Sequence, residues 1–379
     1  MSEWKKVKLV DCCHSISDGD HLPPPKSHTG VPFVTIANID ATNHIDFGNT
    51  MYVPFEYYNN LNDIRKARRY DILYSVVGSF GKPVLIKENN PFAFQRHIAI
   101  LRPNNNIADS RYLYYVMLSR DFYMQADSVA IGAAQRTISL SALRNMEVEL
   151  PPMETQRCIA TILSRYDSLI ENYQKQIKLL EEAARRLYKE WFIDLRFPGH
   201  ENTRIVDGVP EGWERKSVTD LLDIKYGKDH KKLKNGTIPV YGTGGIMRYV
   251  EKSLYSGESV LIPRKGSLNN ILLVNDTFWT IDTMFYSVQR LKNVAKIVYH
   301  YLKSKDMYSF NIGAAVPSMT VNILGGMKLL LPEESVRELF ETNIDRYYHQ
   351  IKALSNQLRL LAEARDRLLP KLMSGEITI

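Results

Sequence analysis

Between residues 153 and 198 the apolar and aromatic positions recur in steps that alternate between four and three. They fall at Ile159, Leu163, Tyr166, Ile170, Tyr173, Ile177, Leu180, Ala184, Leu187 and Trp191. This is the heptad stripe of a coiled-coil seam, and it predicts one long amphipathic helix. Glycine is absent from 153 to 198 and proline from 153 to 197, so nothing in the stretch interrupts it. A second stripe runs through Phe340, Ile344, Tyr347, Ile351, Leu354, Leu358, Leu361, Arg365, Leu368 and Leu372, with Arg365 as its one polar member. Pro370 should end or kink that helix, and Gly375 follows it. Two matching seams in one chain predict that the helices pack on each other, as an antiparallel coiled coil.

Outside the helices the pattern changes to short apolar runs bounded by turn residues. Residues 31–36, 71–77 and 98–101 read as strands, as do 257–262 and 271–274, while 109–127 and 293–305 have helical character. The fold class expected is therefore α/β: two mixed α/β domains separated by the two long helices. The divisions are 1–150, 151–198, 199–331 and 332–379.

The halves are related. An offset of 181 residues aligns Ile131-Gly132-Ala133-Ala134 with Ile312-Gly313-Ala314-Ala315, Met146 with Met327, Leu150-Pro151 with Leu331-Pro332, Tyr166 with Tyr347 and Arg186-Leu187 with Arg367-Leu368. One constant offset over this length marks a duplication, and its period is too long for a solenoid. Further upstream the match loosens. Trp4 to Asp11 resembles Trp213 to Asp220, and Gly78-Ser79 sits in a setting like that of Gly266-Ser267.

Charge adds a partner class. The formal net charge is +7, and residues 205–331 hold 17 Lys and Arg against 11 Asp and Glu, whereas residues 1–150 hold 16 against 15. A basic surplus gathered in one globular segment favours a polyanion. From 159 to 191 a helix rises about 48 Å, more than the roughly 34 Å of one DNA turn. A helical pair of this length suits two short sequences separated by bases that go unread. Candidate DNA contacts lie in polar loops: Arg264, Lys265, Ser267, Asn269 and Asn270, then Tyr241 and Thr243, then Lys231 and Lys232. In the first half they are Ser79 and Lys82, with Gln135 and Arg136 in the loop after Ile131. Arg pairs with guanine and Asn with adenine in the major groove, and glycine lets backbone approach. Arg65, Lys66, Arg68 and Arg69 form a further basic cluster. A solvated surface accounts for each cluster about as well.

Chemistry of its own is harder to find. Leu150-Pro151-Pro152-Met153 lacks the amide and aromatic of a methyltransferase motif, no Walker loop occurs, and no Pro-Asp pair completes a nuclease motif. Cys12-Cys13-His14 lacks zinc-finger spacing, so no metal site is expected. Three cysteines suit a reducing cytoplasm, and no apolar run is long enough for a membrane span. The N-terminus shows no signal-peptide pattern. Two other classes stay open: a coiled-coil adaptor with protein-binding domains, and a self-contained methyltransferase or nuclease.

Several strings resemble one family. Gly132-Ala133-Ala134-Gln135-Arg136-Thr137-Ile138 followed by Leu150-Pro151-Pro152-Met153-Glu154-Thr155-Gln156-Arg157 is similar to the passage from a target-recognition domain into the first long helix of type I restriction–modification specificity subunits. Leu187 to Asp194, Pro210-Glu211-Gly212-Trp213, Ile238 to Gly245 and Arg367 to Ile377 resemble later parts of the same family. The resemblance implies two target-recognition domains, each binding half of a bipartite site in double-stranded DNA. It implies that the helices space the domains and dock modification subunits, two being expected. S-adenosylmethionine, ATP and Mg would act on those subunits and on restriction/translocase subunits, with no cofactor and no catalytic residue in this chain. The chain departs from the pattern at Leu331-Pro332-Glu333-Glu334-Ser335, which lacks the second proline and the glutamine, and at Arg365.

Overall fold

In the computed structural model the described residues are 4–21, 23–40, 42–133, 135–313, 315–377 and 379. Ala134 and Ala314, which belong to the repeat match, lie outside them. The fold is mixed α/β, with two long helices, Met153–Tyr188 and Glu334–Met373. The chain divides into two compact units. One comprises residues Met1–Gln174 and Asn356–Ile379, the other Lys175–Ser355. Each long helix is thus shared between the units.

In the first unit a four-stranded antiparallel sheet has the order Cys13–Asp18, Ile98–Pro103, Ile72–Ser75, Pro83–Leu85. The central strand Ile98–Pro103 buries every side chain but Arg102, the near-continuous apolar run expected of a strand covered on both faces. A smaller sheet orders Met51–Val53, Val31–Val34 and Ala93–Phe94. The region 109–127 forms two helices rather than one, Ser110–Leu118 and Arg120–Val129. The break is at Ser119, whose extended backbone stops the first helix and whose side chain accepts the Phe122 amide to start the second.

The second unit carries a six-stranded sheet in the order Leu222–Tyr226, Met284–Gln289, Tyr255–Pro263, Leu272–Thr280, Asn235–Gly242, Gly245–Val250. The helix Ala295–Lys303 buries most of its side chains in this unit.

Both units close in the same way. Lys5 pairs with Leu150 in an antiparallel ribbon, and Glu214 pairs with Leu331 in another. Leu150 and Leu331 stand at the 181-residue offset, so the looser match of Trp4–Asp11 with Trp213–Asp220 reflects equivalent first strands. Each ribbon leads directly into a long helix.

Within each unit the two helix segments run antiparallel. In the first unit Ile159 and Leu163 share a core with Leu372, and Leu368 packs against it. In the second, Trp191 and Phe192 meet Phe340, the latter pair edge to face at 4.7 Å. In the first unit, moving up the first helix from Ile159 and Leu163 to Asp167 moves the partner back down the second from Leu372 to Arg365. No seam position of either stripe is exposed. Ile159, Leu163, Ile170, Trp191, Phe340, Ile344 and Leu372 are buried, while Ile177, Leu180, Leu187, Ile351, Leu358, Leu361 and Leu368 are half-buried. The last turn of the first helix widens to a π-turn, Lys189–Ile193, in which both Trp191 and Phe192 are buried.

Pro370 does not end the second helix, which continues to Met373. Its ring removes one amide donor, but the carbonyl still accepts from the Ser374 amide at 3.0 Å. Leu372, 1% exposed, anchors the final turn in the first unit's core. Gly375, at φ +70°, then terminates it against the Trp4 ring.

Candidate nucleic-acid interface

In the second unit two of the candidate loops meet. The Asn270 side-chain amide donates to the Thr243 carbonyl at 2.6 Å. A Cβ on Gly266 would stand 3.6 Å from the Thr243 hydroxyl, and at φ +86° that position favours glycine. Tyr241 is half-buried with its ring edge on Phe278. Arg264 has its guanidinium 5.3 Å from the centre of the Tyr226 ring and donates to the Asp282 carbonyl at 3.2 Å. Lys265 and Ser267 are exposed. Asn269 is largely engaged within the fold. It donates to Asp306 at 3.1 Å and accepts the Met307 amide at 2.7 Å. Lys231 and Lys232 are exposed on a separate turn, and neither forms a salt bridge among the described residues.

The loop 264–270 also docks on a third element. Lys265 bridges to Ser318, and the Gly266 amide donates to the Pro317 carbonyl at 2.9 Å. The first unit repeats this arrangement. Val77 bridges to Thr137, and the Gly78 amide donates to the Arg136 carbonyl at 2.9 Å. Arg136 and Pro317 stand at the 181-residue offset, and Gly78 and Gly266 both have positive φ, +68° and +86°. The two glycine loops are structural counterparts although their sequences differ almost throughout.

Their chemistry differs as well. Ser79 is exposed and its carbonyl accepts the Ser75 hydroxyl at 2.9 Å, while Lys82 is half-buried. Gln135 is exposed. Arg136 is tied down by an ion pair with Asp127 and lies over the Phe80 ring. The basic cluster of this unit is also mostly committed. Arg65 pairs with Asp18 and Asp20, and Lys66 and Arg68 with Asp63. Arg69 lies over the ring of Tyr70. The surplus of uncommitted cations is therefore in the second unit, as the charge count suggests.

Among the described residues no group of three or more His, Cys, Asp or Glu side chains is placed to hold a metal. Burial raises the Cys12 thiol to about 11 and raises Cys13 further, which keeps both protonated.

The pattern of the type I restriction modification DNA specificity domain matches residues 1–182 and again residues 210–352. The chain belongs to this family. The MjaIX specificity subunit of Methanocaldococcus jannaschii is 25% identical over 329 residues, which cover 76% of this chain and 74% of that one. The HindI specificity subunit of Haemophilus influenzae is 20% identical over the whole of both chains. A crystal structure of the type I restriction–modification S subunit from M. genitalium shares the fold, with a TM-score of 0.64 over 97% of this chain and 96% of that one, at 18% identity.

Sequence reasoning missed several features of this specificity chain. Tyr226, which supports Arg264, is reached only through sheet pairing, since its strand neighbour is Phe285. Lys296 and His300 are both buried. One turn apart on a mostly apolar helix, they were the available signal for a buried polar network. Lys296 is held by Glu258, Glu341 and Asp345, the last at 2.8 Å.

Proposed function

We propose that this chain supplies sequence recognition to a type I restriction–modification complex, with each globular domain reading one half of a bipartite double-stranded DNA site. The proposed working divisions are 1–150 and 199–331 as readers, with 151–198 and 332–379 as the helices that set the gap and dock the modification subunits, two per chain. The observation that carries this reading is the loop pair built once in each unit, the Gly78 loop on Arg136 and the Gly266 loop on Pro317, inside a family defined by DNA specificity. Equivalent frames with different loop contents are what two readers of different half-sites require, since side chains at base edges specify sequence while the frame positions them.

In this reading the DNA-facing set is Arg264, Lys265, Ser267, Asn269, Asn270, Tyr241, Thr243, Lys231 and Lys232 in one domain. In the other it is Ser79, Lys82, Gln135 and Arg136. Lys265 and the uncommitted lysines give phosphate attraction, and Arg264 is the best placed for a guanine edge. Methyl transfer from S-adenosylmethionine belongs to the modification subunits. ATP hydrolysis and Mg-dependent cleavage belong to restriction/translocase subunits, and this chain is non-catalytic. The complex works in the cytoplasm; among the described residues no helix is long and apolar enough to cross a membrane.

Mapping methylated adenines across a genome, with and without this chain, tests the proposal. A split motif that disappears with the chain is expected. Arg264→Ala should weaken or relax one half of that motif, by about 1–3 kcal/mol, and leave the other half intact. Methyl transfer by the purified chain alone would overturn the non-catalytic assignment.

A further inference from the structure

Ile131 is 70% exposed and Ile312 is 63% exposed, the two highest values among the large apolar side chains of the described residues. They stand at the 181-residue offset. Scattered exposed apolar residues are ordinary on a surface, but the same extreme exposure at the same point of a duplicated frame is not scatter.

The backbone at both residues is held in place by its loop. The Ile131 amide donates to the Thr137 carbonyl at 2.9 Å, and the Thr137 amide returns the bond at 2.8 Å. The Ile312 amide donates to Ser318, while the Asn311 side chain accepts the amides of Gly313 and Ser318 at 2.8 and 2.7 Å. The following glycines are obligatory. A Cβ on Gly132 would lie 2.6 Å from the Gln135 carbonyl oxygen, and one on Gly313 would lie 1.9 Å from that of Val316. Each isoleucine therefore sits on a tight turn whose far side supports the glycine loop of its own unit.

What differs between the units and what is shared point to different targets. The glycine loops differ, as readers of different half-sites must. An isoleucine repeated at one point of both frames meets something common to both halves. Because its turn carries the glycine loop of the proposed DNA-facing set, that common element is taken as the duplex, with the modification subunits as the competing outcome of the test. An aliphatic side chain offers no hydrogen bond to a base edge and gains nothing at a phosphate. Its complements on DNA are the thymine methyl, which is specific to sequence, and the sugar face and the edge of a base step, where apolar wedges insert. The same residue in two frames that carry different loops favours the latter two.

Resting on the DNA-reading function above, we infer that Ile131 and Ile312 are sequence-independent apolar wedges, one per half-site, that press against the sugars or into a base step beside the bases read by the adjoining loop.

The test uses the chain assembled with its modification subunits and duplexes carrying the mapped motif. Ile131→Ala and Ile312→Ala should each lower affinity roughly ten- to fifty-fold, with the methylated motif and the salt dependence unchanged, since no phosphate contact is lost. Ile131→Leu and Ile312→Leu should retain most of the affinity. 2-Aminopurine placed through each half-site should report an unstacked or newly shielded position in the wild-type complex that the Ala variant of that unit lacks.

A changed motif would make these residues base readers and overturn the inference. So would unchanged affinity. Loss of co-purification with the modification subunits, with thermal melting intact, would assign the two side chains to partner docking instead. A drop in melting temperature would assign them to the fold. Wild-type binding to the bipartite duplex is the control that separates this inference from the reading beneath it: if that binding is absent, the DNA-reading function itself fails.

Discussion

Arg365 donates to Asp167 at 2.8 Å, joining the two long helices within the first unit. Asp167 also accepts from the Tyr115 hydroxyl at 2.6 Å. Arg365 occupies a seam position where an apolar residue is expected, so the one irregular member of the second stripe is matched by a carboxylate on the first helix, next to the stripe residue Tyr166. At the 181-residue offset stand Ala184 and Tyr348, which carry no charge. Arg365 also pairs with its neighbour Asp366 at 2.8 Å, so another register would chiefly strip Asp167 of its counterpart, and the cross-helix pair favours the observed one.

Asp167→Ala should therefore destabilise the first unit by about 1–3 kcal/mol, less than a fully buried pair would lose because Arg365 keeps some contact with water. Replacing both residues, as Asp167→Leu with Arg365→Leu, should restore most of that loss. A double-mutant cycle by denaturant unfolding measures the coupling. Strictly additive effects would show that the pair does not act as a unit.

Lys296 is 3% exposed, and three carboxylates surround its ammonium group. Burial opposes its charge, but the charge of Glu258 and the hydrogen bonds that Lys296 donates to Asp345, Glu258 and Glu341 outweigh it and raise its pKa. Removing the cation leaves three carboxylates crowded together. Lys296→Met should cost about 3–5 kcal/mol in unfolding experiments. A Lys296→Met chain of wild-type stability would mean that the carboxylates find other partners or take up protons at no cost.

His300 lies on the next turn of the same helix, with its Nε2 3.0 Å from the Tyr348 hydroxyl and its ring stacked on Tyr188. Burial, then the charges of Lys296 and Lys303, lowers its pKa from 6.5 to about 3. The imidazole is therefore neutral in the folded state, and Tyr348 donates to it. Between about 6.5 and about 3 the unfolded chain binds a proton that the folded one refuses, so stability falls as pH falls through that window, by up to about 1.4 kcal/mol per pH unit. His300→Gln should flatten this part of the stability profile relative to wild type. Thermal melts from pH 7 down to about 4 would reveal it; parallel profiles for the two chains would assign the acid sensitivity to other groups.

Helix length makes a prediction about the DNA. Adding seven residues after Ile177 and seven after Leu354 preserves both heptad stripes and lengthens each helix by about 10 Å. At about 3.4 Å per base pair, the unread gap of the methylated motif should grow by roughly three base pairs. Adding five residues instead throws the downstream stripe off the seam and should abolish methylation. A gap that stays constant in the seven-residue variant would show that the helices do not measure it.

Much of this architecture was legible in the chain because its signals are periodic. Heptad spacing needs only local geometry, and the 181-residue offset needs only comparison of the sequence with itself. The family strings extended that reading along nearly the whole length. The break at Ser119 was less legible, since a serine inside an apolar pattern signals a cap only when the backbone there is extended. The passage through Pro370 was illegible for another reason: the proline penalty is local, whereas the burial of Leu372 that offsets it is set by the core beneath.

By itself the sequence determined the duplication, the two long helices with their seams, the α/β character of the domains and the uneven charge. All of these depend on residue type and on spacing along the chain. Tertiary structure alone decided which cations are left uncommitted, that Asn269 and Arg136 serve the fold as well as any ligand, that Arg365 is answered by Asp167, and that Ile131 and Ile312 stand in the open. Those facts depend on residues far apart in the chain meeting in space, and no local spacing encodes such distances.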